Sequence, residues 1–177
     1  MAERGVLVPP TSRKSLRNEA RKFREILELD KPRLPIVSVL EFVLPQIVPH
    51  FVFEVADSQT MGQKHGLTFP DEPRIVIRED VYEGARRGVG RDRLTHAHEL
   101  AHFILHRDVS FARTCGANVP RYCDSEWQAN CFAGELLVSA QHLDGCSGPS
   151  DLADRFGVSQ AAAEIQWKAF KGDGLVK

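Results

Sequence analysis

The stretch HAHELAHFILH, residues 96–106, places four of the chain's seven histidines and one glutamate within eleven positions. Apolar residues recur through it at the spacing of one helical face, which predicts a buried helix over 93–106 with Asp92 as its N-cap. This face consists of Leu94, Ala97, Ala101, Ile104 and Leu105. Such a helix would fix the relative positions of its histidines before any ligand binds.

Two of these histidines have the spacing of metal ligands. His98 and His102 stand four residues apart, so both imidazoles project from one face, about 6 Å apart along the axis. Both rings can converge on one zinc ion at about 2.0–2.1 Å. Glu99 cannot point the same way, but it can reach a water molecule beside the ion as a general base. The pattern H-E-x-x-H alone also matches many non-enzymes by chance.

A zinc ion that keeps one position open for water needs a third protein ligand. His106 lies about 12 Å along the axis from His98, too far to share one ion on a straight helix. His96 lies on a different side of the helix from His98. We therefore expect both His96 and His106 to have structural roles.

Glu126 is the expected third ligand. It opens a second predicted helix, 125–138, for which Ser125 is the predicted cap. Asn130 lies four residues further along the same face, where its amide could hydrogen-bond a ligand imidazole and hold its tautomer. The alternative reading of Glu126 is a carboxylate that only stabilises the N-terminus of its helix.

Composition limits the class of protein. The chain has 177 residues, 42% apolar and 27% charged, as expected for one globular domain with at most a small appendage. A net charge of −1 argues against a broad electrostatic grip on DNA or on an anionic membrane. No apolar run approaches the ~20 residues of a membrane span, and the N-terminus lacks a signal-peptide core. The four cysteines form no CxxC pair, so we expect reduced thiols in a cytoplasmic protein.

The hydrophobic periodicity predicts an α+β fold that is mainly helical and contains three short strands. The predicted helices cover a segment from Ser15 to Asp30, then 36–44, DVYEGARR at 80–87, 93–106, 125–138 and 150–170. The predicted strands are 50–55, 67–69 and 74–78. The charged residues of 11–34 are expected to form a solvated helix face rather than a nucleic-acid patch.

Two histidines from one helix and a glutamate from the next resemble the gluzincin arrangement. The chain is more specifically similar to the ImmA/IrrE family of metallo-endopeptidases, through the stretches 75–106, 126–138 and 151–170. The resemblance implies a small three-stranded sheet packed on a zincin-like helical core, a bound Zn²⁺ and a protein substrate. That substrate is typically a helix-turn-helix repressor, encoded nearby and cut to switch on stress-response or mobile-element genes. Ala101 replaces a frequent glycine, and Val138-Ser139 replace a common Met-Pro.

We accordingly expect a flexible arm at 1–14, a zinc metallopeptidase domain at 15–148 and a C-terminal helical element packed on the core at 149–177. Tyr122, Tyr82 and His142 are candidates for stabilising the oxyanion, and sequence alone does not separate them. A substrate peptide is expected to add a strand to a sheet edge, with 50–55 and 74–78 as the candidate strands.

Two other functions are compatible with parts of the sequence. The segment 151–170 imitates a helix-turn-helix, which would suit a DNA-binding regulator. It contains only Arg155 and Lys168 as cations, so direct DNA binding is disfavoured. The second alternative is a protein that binds a repressor without cutting it, and the complete set of ligands and base argues against it.

Overall fold

The computed structural model describes residues 5–69, 71–107 and 120–177. It confirms a mainly helical α+β fold with a three-stranded sheet. The N-terminal half contains α1 (Arg13–Ile26), α2 (Ile36–Ser38), a π-helical turn (Val39–Val43), α3 (Leu44–Ile47), β1 (Val52–Ala56), α4 (Ser58–Met61), β2 (Gly66–Phe69), β3 (Arg74–Arg78) and α5 (Glu79–Arg86). The C-terminal half contains α6 (Gly90–His106), α7 (Ser125–Leu137), α8 (Pro149–Phe156) and α9 (Gln160–Gly172), with short 3₁₀ turns at Arg121–Cys123 and Ala140–His142.

The sheet has the order β1-β3-β2, in which β3 runs parallel to β1 and antiparallel to β2. Ile75, Val76 and Ile77 of β3 are all buried, as expected for a central strand covered on both faces. Our expectation that 74–78 could be an edge strand is therefore wrong. The two edges are β1 and β2.

Helices α6 and α7 form the centre of the molecule. Both bury alanines four residues apart, Ala97 and Ala101 on α6 and Ala129 and Ala133 on α7, and all four are fully inaccessible to solvent. Small side chains let two helices approach closely, because the interaxial distance depends on the residues at the contact. Helix α1 also packs on α7 and buries Leu16 in the same core.

Both predicted helix caps are wrong. Helix α6 begins at Gly90, so Asp92 lies inside its first turn rather than before it. Helix α7 is capped by Asp124, whose Oδ1 accepts a hydrogen bond from Trp127 N at 2.8 Å. Ser125 is the first residue of the helix rather than its cap, and its hydroxyl accepts a hydrogen bond from Val6 N at 3.0 Å.

The segment before α1 packs against the chain that leads into α7. Leu7 forms an isolated antiparallel bridge with Asp124, Val8 N donates to Cys123 O at 2.9 Å, and the Val8 side chain is buried. Residues 6–8 thus contact the chain before α7, and the flexible arm expected at 1–14 remains a prediction. Helix α1 starts at Arg13, so the predicted boundary falls within it. The division at 148 remains a prediction.

The C-terminal pair α8 and α9 is joined at Gly157, whose left-handed backbone (φ +64°) ends α8. Arg93 of α6 is buried and donates hydrogen bonds to Gly157 O (2.8 Å), Leu34 O (3.0 Å) and Phe156 O (3.2 Å). Its guanidinium therefore connects α6, the segment before α2 and the end of α8.

Two further expectations concern redox state and membranes. Cys123, Cys131 and Cys146 are free thiols, and Cys115 lies outside the described residues. Within the described ranges, the structure contains no helix that is long and apolar enough to span a membrane.

Candidate metal centre

His98, His102 and Glu126 meet where α6 crosses the first turn of α7. One potential ligand atom from each of the three lies within 4.8 Å of the other two. The two imidazole Nε2 atoms are 3.0 Å apart, Glu126 Oε2 is 3.2 Å from His98 Nε2, and Glu126 Oε1 is 3.2 Å from His102 Nε2. The structure thus brings the two expected ligands of α6 together with Glu126, the expected third ligand, on α7.

This arrangement fits a tetrahedral metal ion. Bonds of about 2.0–2.1 Å at tetrahedral angles place neighbouring ligand atoms roughly 3.3 Å apart, close to the 3.0 and 3.2 Å found here. Two imidazoles and one carboxylate are also a donor set that zinc takes in catalytic sites, with a fourth position left open.

The electrostatics of the three groups favour a cation between them. Burial alone would raise the pKa of Glu126, but the facing imidazoles of His102 and His98 outweigh it and hold that pKa well below its usual range. Burial alone would lower the pKa of His98, but the Glu126 carboxylate and the charge of Glu99 outweigh it and raise that pKa. A carboxylate that stays ionised attracts either a proton onto a facing imidazole or a metal ion in its place.

Glu99 lies beside this cluster and is held by β2. Its carboxylate Oε2 is 2.7 Å from Thr68 Oγ1, which is also 2.9 Å from the Glu99 backbone oxygen. Burial raises the pKa of Glu99, although the charge of His98 and the Thr68 hydrogen bond act in the opposite direction. A carboxylate with a raised pKa beside three candidate metal ligands is suited to proton transfer.

Each imidazole of the cluster has a partner on its other nitrogen. Asn130 Oδ1 is 3.2 Å from His98 Nδ1, and Asn130 Nδ2 donates to Glu126 O at 2.8 Å. His106 Nδ1 is 3.0 Å from His102 Nδ1, so His106 contacts a residue of the cluster without belonging to it. Burial lowers the pKa of His106 to about 4.

His96, the remaining histidine of the motif stretch, lies on another side of α6. It is fully buried, and its Nδ1 is 2.8 Å from Asp92 O. Burial lowers the pKa of His96. The structure thus keeps His96 apart from the three clustered side chains.

The cluster opens into a cavity of about 730 Å³. Its walls include β2, the polar faces of α6 and α7, and the N-terminal residues Gly5 and Val6. Among the described residues, strand β2 is an edge of the sheet, so its outer backbone groups face no other described strand. The edge at the candidate site is therefore β2, and not 50–55 or 74–78 as we expected.

The three oxyanion candidates do not line this cavity. Tyr82 donates a hydrogen bond to Glu41 and lines a different cavity, between α2 and α5. His142 Nε2 lies 3.6 Å from Asp30 Oδ1, and the Tyr122 side chain is largely exposed. The structure places none of these three beside the clustered side chains.

Sequence reasoning missed several residues that do line the cavity. Gly66 and Thr68 contact Glu99, while His65 and Arg91 lie 3.2 Å apart at the rim. Threonine in a short strand and histidine in a loop are common, so no local signal marked them. Only the pairing of β2 with β3 and its packing on α6 reveals their place.

Comparison with known proteins identifies a family for this chain. Residues 51–168 match a peptidase family model described as the IrrE N-terminal-like domain. Because the match covers more than half of the 177 residues, the chain belongs to this family. The resemblance drawn from the sequence is thereby confirmed. No curated protein matched the chain.

Proposed function

We propose that this protein is a zinc-dependent endopeptidase that cuts a specific protein substrate. The observation that carries the proposal is the convergence of His98, His102 and Glu126 beside the buried carboxylate of Glu99. Family membership supports peptidase chemistry, and the cluster supports a metal. Zinc is our assignment, because imidazole and carboxylate ligands in a compact three-residue set are typical of catalytic zinc.

Each residue has a defined part in the proposed reaction. His98, His102 and Glu126 would hold the ion, which when bound supplies a Lewis acid for the peptide carbonyl and lowers the pKa of water. Glu99 accepts the proton of the attacking water and passes it to the departing amine. Thr68 Oγ1 orients the Glu99 carboxylate through the 2.7 Å hydrogen bond.

Asn130 would orient His98. Its Nδ2 donates to Glu126 O, so its Oδ1 is the atom that faces His98 Nδ1. An amide oxygen only accepts hydrogen bonds, so the His98 proton resides on Nδ1. The Nε2 lone pair then remains free for the ion, as metal ligands require.

The substrate would bind as an extended segment along β2. The free edge of this strand borders the cavity, so a peptide paired with it passes the Glu99 carboxylate. We propose a helix-turn-helix repressor, encoded nearby, whose cleavage switches on stress-response or mobile-element genes. The support for this substrate is the family resemblance, and it would place the protein in the cytoplasm.

Metal analysis and cleavage together test the proposal. The purified protein should bind about one zinc ion, and Glu126→Ala should weaken binding strongly. Glu99→Gln should keep the ion but slow repressor cleavage by about 10²–10⁴-fold, since glutamine cannot take the proton. Glu19→Gln is the matched control, because Glu19 is exposed on α1 and pairs with the exposed Lys22. Unchanged zinc affinity in Glu126→Ala would contradict the ligand assignment.

The cleavage assay, together with a DNA-binding assay, separates the peptidase from the two alternative functions. A protein that only binds the repressor would leave it intact when zinc-loaded and would show no difference between wild type and Glu99→Gln. A DNA-binding regulator would raise the fluorescence anisotropy of labelled duplex DNA at low salt. We expect cleavage and no DNA binding.

A further inference from the structure

His106 lies one helical turn beyond His102 and is buried at the contact between α6 and α7. Its two ring nitrogens face different partners. Nδ1 is 3.0 Å from His102 Nδ1, and Nε2 is 3.2 Å from Gln128 Oε1. Gln128 is buried too. A buried chain of polar groups therefore runs from the metal cluster to the first turns of α7.

The Gln128 end of this series of polar groups fixes the direction of its hydrogen bonds. Gln128 Nε2 lies 2.8 Å from both Pro9 O and Tyr122 O. Backbone carbonyls only accept hydrogen bonds, so the amide NH₂ must face them and the amide oxygen must face His106. The His106 proton is accordingly on Nε2, where it donates to Gln128.

The proton positions then follow along the chain. A neutral imidazole carries one N–H, so His106 Nδ1 is an acceptor. His102 Nδ1 faces this acceptor and must donate to it, which leaves His102 Nε2 unprotonated. That lone pair faces His98 Nε2 at 3.0 Å and Glu126 Oε1 at 3.2 Å.

We propose that His106 and Gln128 are positioning residues that hold His102 as its Nδ1–H tautomer and so strengthen metal binding. The inference rests on the metal site proposed above. We call the series Gln128–His106–His102 the relay. At its Gln128 end it is anchored by the backbone oxygen of Pro9, whose segment pairs with the residues before α7. Packing of the N-terminal segment is thereby linked to the tautomer of His102.

The first test needs no variant. Nitrogen-15 NMR of the metal-free wild-type protein at pH 8 reports which nitrogen of each imidazole carries the proton. His102 is expected as the Nδ1–H tautomer and His106 as the Nε2–H tautomer. A His102 imidazole protonated on Nε2 would overturn the relay, whether or not the protein binds zinc.

The second test measures zinc affinity by competition with a chelator. His106→Phe keeps a ring but removes both hydrogen bonds, and it should weaken zinc binding by about 10–100-fold. His106→Asn places an oxygen near the position of Nδ1 and should recover most of that loss. Gln128→Met should weaken binding in the same direction as His106→Phe.

A matched control separates this effect from general damage. Gln166 is another buried glutamine, on α9, and it accepts a hydrogen bond from Arg13 rather than contacting the relay. Gln166→Met should leave zinc affinity within about twofold of wild type, even where it lowers the unfolding temperature. If wild type binds zinc and His106→Phe binds it equally well, the relay is wrong while the zinc site stands. If wild type binds no zinc, the proposed function fails, and the tautomer of His102 alone decides the relay.

Discussion

Two residues of β2 confine the Glu99 side chain. Thr68 supplies a hydrogen bond, and Gly66 supplies space, because a Cβ at position 66 would lie 2.5 Å from Glu99 Cγ. The backbone at Gly66 is not in the left-handed region, so the requirement for glycine here is steric. A carboxylate confined in this way starts near the geometry that proton transfer needs.

We expect Gly66→Ala to displace the Glu99 side chain without removing a metal ligand. A shift of about 1 Å at a catalytic group can lower the rate about 10²-fold, so kcat/KM on the substrate should fall by about that factor. Zinc content should stay at the wild-type level. Gly148→Ala is the control, since a Cβ there meets no atom within 4 Å. Equal turnover in both variants would show that Gly66 does not constrain Glu99.

Zinc affinity should depend on pH through His98. Its pKa is raised in the metal-free protein, so below that pKa a proton occupies His98 and competes with the ion. The apparent association constant should therefore fall as pH decreases, by about tenfold per pH unit for each proton displaced. The lowered pKa of Glu126 keeps it ionised and adds no pH dependence near neutrality. Chelator competition between pH 5.5 and 8.5 measures this, and a flat profile would argue against His98 as a ligand.

At the scale of elements, the start of α6 is defined by its contact with the turn between α8 and α9. A Cβ on Gly90 would lie 2.3 Å from Ser159 N and 2.4 Å from Val158 C. These are backbone atoms, which cannot rotate away as a flexible side chain would. Arg93, one turn later, hydrogen-bonds the carbonyls of Phe156 and Gly157. This contact sets the position of the helix that carries His98 and His102.

Gly90→Ala should therefore destabilise the protein. Alanine favours helix over glycine by about 1 kcal/mol, but overpacking against fixed backbone costs about 1–3 kcal/mol and should dominate. Denaturant unfolding should show a lower midpoint with little change in slope. Gly172→Ala, at the end of α9 with no atom within 4 Å of the added Cβ, should be neutral or slightly stabilising. A Gly90→Ala protein as stable as wild type would show that the turn can move.

At the scale of the whole molecule, a buried carboxylate connects three helices. The Glu135 side chain on α7 is fully buried and pairs with Arg17 at 2.7 Å and Arg13 at 3.2 Å, both on α1. Arg17 also reaches Asp173 beyond α9, and Arg13 reaches Gln166 on α9. The basic residues of α1 thus differ in role. Arg13 and Arg17 form ion pairs at the contact with α7, while the charges on the other faces of α1 remain solvated.

Glu135→Leu should lower the free energy of unfolding by about 3 kcal/mol, because removing one partner of a buried pair leaves the others uncompensated. We take the lower end of the usual range, since Arg13 and Arg17 keep partial access to water. Chemical denaturation measures the loss. Glu25→Leu, which removes an exposed pair with Arg21, should change stability by less than about 0.5 kcal/mol. Similar losses of unfolding free energy in both variants would mean that Glu135 stabilises the protein no more than a surface charge does.

The length of β2 bears on specificity. With four residues, this edge offers few backbone hydrogen bonds to an unstructured peptide, so selection should depend on further contacts with a folded substrate. The exposed faces of α1 and of the α8–α9 pair are available for such contacts. The zinc-loaded protein should make a single cut in the neighbouring repressor and leave unfolded casein intact. Rapid casein digestion without preference for the repressor would show a degradative enzyme.

The local residue pattern of the sequence determined the positions of the central helices, of one strand and of the histidine pair. The 3.6-residue periodicity placed α6 and α7 to within three residues at their starts and one at their ends, because an amphipathic helix records its buried face in nearby positions. The strand 74–78 was placed correctly for a similar reason, since β-branched residues are concentrated there. The i, i+4 spacing of His98 and His102 likewise needs only one helix, so their shared face was readable from the sequence.

Only the tertiary structure decided which distant groups meet. The proximity of Glu126 to the histidines, the placement of β2 against Glu99, and the Gln128–His106–His102 chain all join residues far apart in sequence. The N-terminal segment gave no periodic signal, yet its Val6 N donates to the hydroxyl of Ser125, beside the Asp124 cap of α7. Hydrophobic periodicity reports which side of an element is buried. It does not report which polar group lies across the contact, since that depends on how elements pack.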